Sequence, residues 1–168
     1  MRKLVYLLLG VAFVSTGSYA QGKKPLSPKE TVNGTVGGAS VEIVYCRPSA
    51  RDRKVMGALV PYGEVWRTGA NAATTIEFSK DVKIEGKDLP AGKYELFTIP
   101  GENEWIIIFQ KFGNQWGHFS YKEANDVLRV KVKPSKTDSF VETFTIAVVK
   151  NEVSLKWENT MVAFKIKG

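Results

Sequence analysis

The sequence predicts an all-β protein: a two-sheet antiparallel β-sandwich with one long ordered loop rich in Arg, Gly and aromatic residues. Three observations point there. Apolar and polar residues alternate at period two in many short segments, Pro and Gly turns separate those segments, and helical periodicity persists nowhere for long. A closed barrel is the alternative, because alternation alone does not report closure.

The elements follow in order. Ser40 to Tyr45 places Val41, Ile43 and Tyr45 on one side. Ala73 to Ser79 repeats the pattern with Ile76 and Phe78 inward and Glu77 outward, and Val82 and Ile84 continue it to a turn at Glu85-Gly86. Leu89-Pro90-Ala91-Gly92 is a turn by composition, Pro presetting φ and Gly relieving the bend. Lys93 to Ile99 and Glu104 to Gln110 form a hairpin across Pro100-Gly101, a pair suited to a type II turn. The second of these strands is nearly all apolar and is expected to be central. Trp116 to Tyr121 is expected as a short aromatic strand, and Tyr121 to Asp126 has room for one helical turn. Val127 to Lys133 alternates most cleanly, with Leu128, Val130 and Val132 inward. Phe140 to Val149 and Val153 to Trp157 join through Lys150-Asn151-Glu152, and Met161 to Lys167 follows. Gly34, Gly37 and Gly38 are expected in one turn.

The chain of 168 residues has room for one domain, and 43% hydrophobic with 24% charged residues is the balance of a globular protein. One Cys and one His exclude an intramolecular disulfide and a Cys/His zinc site. A Ser-His-Asp arrangement could be built only on His118. No cofactor and no metal is expected.

Residues 1–20 read as a secretory signal peptide. Arg2 and Lys3 precede the apolar run Leu4 to Val14, and Ser18 and Ala20 suit a cleavage site before Gln21. That run is eleven residues long, short of the roughly 20 that a spanning helix needs. Residues 21–29 read as a flexible lead-in and residues 30–168 as a single β-sandwich domain. The expected location is exported, periplasmic or extracellular, with no transmembrane segment. Loss of Arg2 and Lys3 lowers the net charge from +7 to +5.

Cys46 to Asn71 interrupts the strand rhythm for 26 residues, long for a connection in a compact domain. It carries Arg47, Arg51, Arg53 and Arg67, together with Tyr62, Trp66, Thr68 and Asn71. Long ordered loops on a rigid scaffold are where binding sites concentrate. A guanidinium fork suits carboxylate, phosphate or sugar hydroxyls, and an adjacent aromatic ring offers a stacking face. The candidate ligand-binding residues are Arg47, Arg53, Trp66, Arg67 and Asn71, joined by Trp116 and His118. The competing reading is structural: Arg47 and Arg67 pair with acids such as Glu64 or Asp81 and pin the loop.

The elements Tyr45-x-Arg47-Pro48-Ser49, Val60-Pro61-Tyr62-Gly63-x-x-Trp66-Arg67-Thr68-Gly69-Ala70-Asn71 and Leu89-Pro90-Ala91-Gly92-x-Tyr94-x-Leu96-Phe97-Thr98-Ile99-Pro100 occur together here. In these the chain resembles the DUF2911 family of uncharacterised secreted bacterial proteins, common in Bacteroidetes. The resemblance runs from Ser27-Pro28 to Phe164-Lys165-Ile166. It implies an exported all-β domain and supplies no activity. Members usually carry a small residue at the place of Cys46 and Gly at the place of Asp52, so no shared role is implied for this Cys.

Catalytic chemistry has few candidates. A thiol nucleophile would need Cys46 paired with His118. Glycoside hydrolysis would need two carboxylates about 5–10 Å apart across a cleft, and the spacing of Glu64, Glu95 and Glu104 singles out none of them. Arg129, Lys131 and Lys133 lie on one strand face whose alternate residues are Val130 and Val132, so they read as a solvated face and not as a nucleic-acid platform. The leading expectation is a non-catalytic binding module for a small anionic or glycan ligand. An envelope structural or assembly protein and a glycan-active enzyme are the alternatives. No oligomeric state is legible.

Overall fold

The computed structural model describes residues 25–168; the expected signal peptide and the start of the lead-in lie outside them. Ten strands follow: β1 (Lys29–Val36), β2 (Ala39–Cys46), β3 (Thr74–Phe78), β4 (Val82–Ile84), β5 (Lys87–Leu89), β6 (Gly92–Ile99), β7 (Trp105–Lys111), β8 (Asp126–Val132), β9 (Ser135–Val149) and β10 (Glu152–Lys167). A six-stranded sheet in the order β1-β2-β3-β6-β7-β8 faces a four-stranded sheet in the order β5-β4-β10-β9, every pair antiparallel. The fold is an all-β sandwich. No strand ladder among the described residues joins the two sheets into a barrel. Where their edges approach, they meet through side chains: a Cβ on Gly34 of β1 would stand 2.5 Å from Val148 of β9. At the far side Lys87 Nζ donates to the Arg129 carbonyl at 3.2 Å.

Alternation builds the core. Val41, Ile43 and Tyr45 of β2, Ile76 and Phe78 of β3, and Leu96, Ile107 and Phe109 of β6 and β7 are buried against Phe144, Ile146, Leu155, Trp157 and Phe164 of the facing sheet. Period two sends successive side chains to opposite faces, so one apolar face per strand suffices. Strands β6 and β7 are different. Their outer face is also apolar, with Phe97 and Ile108 buried beside Ala73 under Val65 and Tyr121. Connecting segments cover that face, which explains why β7 lacks a polar side.

Several elements depart from expectation. Strand β1 forms where the sequence offers only a polar, Gly-containing stretch, because an edge strand half exposed to water needs little apolar patterning. Gly34 lies inside it, and the turn is made by Gly37 and Gly38, with φ of 56° and 78°. Strand β9 begins at Ser135 rather than Phe140, and β10 is continuous where two strands are expected. Its pairing with β9 shifts register around Glu158, which has φ of 56°. Such a bulge breaks the alternation without ending the strand. Trp116 to Tyr121 is not a strand: one bridge, Ala72 to Trp116, is its sheet-like contact. The expected helical turn is a 3-10 turn, Glu123–Asn125.

Phe144 sits amid the core aromatics, its ring 5.0 Å from Trp66 and 5.7 Å from both Tyr45 and Trp157. On the same strand, Phe140 is 54% exposed. In urea unfolding, Phe144→Ala should cost about 3–5 kcal/mol, whereas Phe140→Ala should stay within about 0.5 kcal/mol.

Candidate functional site

The long loop leaves β2 at Cys46, and its first arginine is consumed at once. Arg47 bonds Glu30 of β1 at 2.6 Å, the Phe144 carbonyl at 3.1 Å and Thr145 Oγ1 at 2.9 Å, so it ties β1 to β9. Its acid partner is Glu30, not Glu64 or Asp81; Asp81 instead accepts the Ala91 amide. The loop then runs along β9, with Ala50 N donating to Glu142 O and Phe144 N to Pro48 O. It turns at Arg51 and Asp52, with φ of 52° and 57°, a conformation that glycine adopts without strain. Arg53 folds back onto the carbonyls of Ala50 and Ser49, both at 2.9 Å.

Trp66 returns the loop to the sheet. Its amide donates to Thr98 O at 2.7 Å and its carbonyl accepts from Thr98 N at 2.9 Å, extending the six-stranded sheet beyond the end of β3. Its indole enters the core, stacked on Trp157 at 5.9 Å and edge-on to Trp105 at 6.4 Å. A tight turn follows. Thr68, fully buried and β-branched, has φ of 54°, and Asn71 has φ of 60°. A β-branched residue in the left-handed region is a strained outlier, held here by surrounding structure. Thr74 Oγ1 donates to the Thr68 carbonyl at 2.7 Å, and Ala70 N donates to Cys46 O. Gly69 must be glycine-sized, since a Cβ would lie 2.9 Å from Cys46 O.

The segment after β7 docks against this turn. Gly117 N donates to Asn71 O and Ala73 N to Gln115 O, both at 3.0 Å. A Cβ on Gly117 would stand 3.9 Å from Arg67 Nη1 and 3.2 Å from the Phe119 ring. Beneath it lies a polar chain. The fully buried Glu95 carboxylate accepts the Gln115 amide at 2.6 Å and Gln115 Nε2 at 2.5 Å. The chain continues through Gln110 to Asp126, which accepts Tyr121 OH at 2.7 Å and Arg129 Nε at 2.6 Å.

These segments enclose a cleft of about 520 Å³, within the small-molecule range of roughly 300–1,000 Å³. Arg51, Arg53, Arg67, Asn71 and His118 line it with Val60, Pro61, Val65 and the edges of Trp66 and Trp157. Glu64 is the acidic residue of the lining. Arg67 makes no side-chain hydrogen bond or ion pair among the described residues, and its Nε is buried without a partner, as is His118 Nδ1. Burial pushes the Arg67 pKa below its usual value. No three His, Cys, Asp or Glu side chains converge as metal ligands among the described residues.

Five candidates from the sequence therefore meet: Arg53, Trp66, Arg67, Asn71 and His118. Arg47 and Trp116 lie outside the lining. Trp66 is 8% exposed and lends an edge rather than a stacking face, whereas Trp116 is 72% exposed. Arg51 joins the lining, although the sequence offers it as one member of an arginine run. Glu95 escaped selection as well; its signal is a carboxylate inside the apolar run Tyr94 to Ile99.

The molecule is thus a β-sandwich with an arginine-lined cleft between two loops. Its residues 27–166 match the family model described as "Protein of unknown function (DUF2911)", and the chain belongs to that family. No curated protein and no solved structure matches it.

The two arginines should differ in stability experiments. Arg47→Ala should cost about 1.5–3 kcal/mol through lost charged hydrogen bonds. Arg67→Ala should change stability by no more than about 0.5 kcal/mol, or raise it, since it removes a desolvated charge without a partner. Tyr121 gives a pH test. Burial and the bond to Asp126 raise its pKa from 10.0 to about 12. A phenol that holds its proton more tightly in the fold stabilises fully below pH 10.0 and loses that contribution as pH approaches 12. Thermal melts between those limits should show a smaller loss of stability in Tyr121→Phe than in the unaltered chain.

Proposed function

We propose that this protein is an exported, non-catalytic binding module that holds a small anion in the cleft at Arg67. The supporting observation is the Arg67 guanidinium itself. A half-buried charge with no ion pair or hydrogen bond is costly, and a bound carboxylate or similar anion would satisfy it. Unpartnered His118 Nδ1 stands on the same cleft and, when it carries a proton, adds a donor. Arg51 and Arg53 add positive charge to a lining whose acidic residue is Glu64, with Glu142 outside it accepting the Arg51 amide at 2.9 Å. The same lining argues against a glycosidase, which pairs two carboxylates. Export rests on the N-terminal sequence pattern. No described helix is long and apolar enough to cross a membrane.

Amide NMR with sodium acetate and sodium sulfate tests the reading. At least one of the two anions should give saturable shifts at Gly69, Asn71, Gly117 and His118. Arg67→Ala should weaken that binding at least tenfold, about 1.4 kcal/mol. Unchanged affinity in Arg67→Ala, or shifts confined to other surfaces, would overturn it.

A further inference from the structure

The loop that carries His118 also presents aromatic rings to water. Phe119 is 83% exposed, Trp116 72% and Phe112 47%. Phe112 has a partner, Lys93 Nζ at 5.3 Å from its ring centroid. Phe119 stacks on His118 at 4.7 Å, its ring close to Gly117, and Gly117 in turn abuts Arg67. Rings exposed to this degree beside a concave site offer apolar faces to a molecule bound there. The loop is not loosely held: Gln115, next to Trp116, is clamped to the buried Glu95 carboxylate through both its backbone and its side-chain amide.

Resting on the anion reading of the cleft, we propose that its ligand is an acidic glycan. A sugar carboxylate occupies the Arg67 and His118 donors, and neighbouring rings of the chain lie on Phe119 and Trp116. The chemistry matches on both counts. A pyranose offers a face of C–H groups to an aromatic ring while its hydroxyls stay in water, so it covers an exposed ring without burying polar groups. Its carboxylate brings the counter-charge that the Arg67 guanidinium lacks. Glu64 and Asn71 of the lining can accept sugar hydroxyls. A lipid surface fits less well, because Arg67 Nε and His118 Nδ1 are buried within a cleft, whereas a headgroup layer favours exposed charges.

Calorimetric titration of the full chain compares tetragalacturonate, an alginate tetramer and a hyaluronan tetrasaccharide with neutral galactotetraose and with acetate. At least one acidic tetrasaccharide should bind tenfold or more tightly than acetate, with no binding of the neutral one. Trp116→Ala and Phe119→Ala should each lower that affinity fivefold or more and leave acetate unchanged. Trp116 is the exposed member of the four tryptophans, so acidic glycan should also shield part of the fluorescence from acrylamide, an effect lost in Trp116→Phe. Equal affinity for acetate and every acidic tetrasaccharide would overturn the glycan inference while leaving the anion site intact. So would retention of phosphatidylglycerol vesicles, dependent on Trp116 and Phe119, without glycan binding. Absence of binding by acetate, sulfate and all the glycans would overturn both readings.

Discussion

The burial of Trp66 is the constraint on which the rest of this site depends. Its backbone completes a bridge to Thr98, and its indole fills the space between Trp105, Phe144 and Trp157. A side chain of that size excluded from water anchors the middle of a long loop that otherwise has little reason to adopt one conformation. Once Trp66 is fixed, the next residues must turn sharply to reach β3. Thr68 and Asn71 accept left-handed backbone in doing so. Arg67 is held at the start of that turn, beside the cleft, by its backbone, whose carbonyl accepts from Thr74 N at 3.2 Å, and not by its side chain.

Arg47 and Arg67 show how differently two arginines of one loop are used. Arg47 has a carboxylate, a carbonyl and a hydroxyl within hydrogen-bond distance. Arg67 has none of these, and its Nε is removed from water. The first arrangement is a clamp between strands. The second leaves the cost of desolvating a charge unmet within the fold.

The outer face of β6 and β7 links the two loops. Phe97 and Ile108 need cover, and the segments around Val65 and Tyr121 supply it. The same face carries Glu95 and Gln110, buried polar groups that accept and donate along a chain reaching Asp126 and Arg129. Hydrogen bonds between buried polar groups fix geometry more sharply than apolar contact does, although Gln115 Oε1 in this chain has no partner among the described residues. The aromatic residues exposed on the 112–119 segment therefore flank a residue, Gln115, that is hydrogen-bonded to the buried Glu95 and Gln110.

Alternation is a local property, so the sequence alone determined an antiparallel β protein and located β2, β3, β6, β7 and β8 closely. It did not show β1, whose polar edge carries little pattern, nor the continuity of β10, whose bulge resets the phase of the alternation. The sequence also marked the arginine-rich loop and its neighbours as the region of interest. Which arginine would be spare was decided only by tertiary structure. The partners of Arg47 lie 17, 97 and 98 residues away in the chain, on strands brought together by sheet pairing and sandwich packing. Arg67 and His118 likewise line one cleft, far apart in sequence, where Gly117 N donates to Asn71 O. A charge is a property of one residue, but whether that charge is satisfied depends on what the fold places beside it.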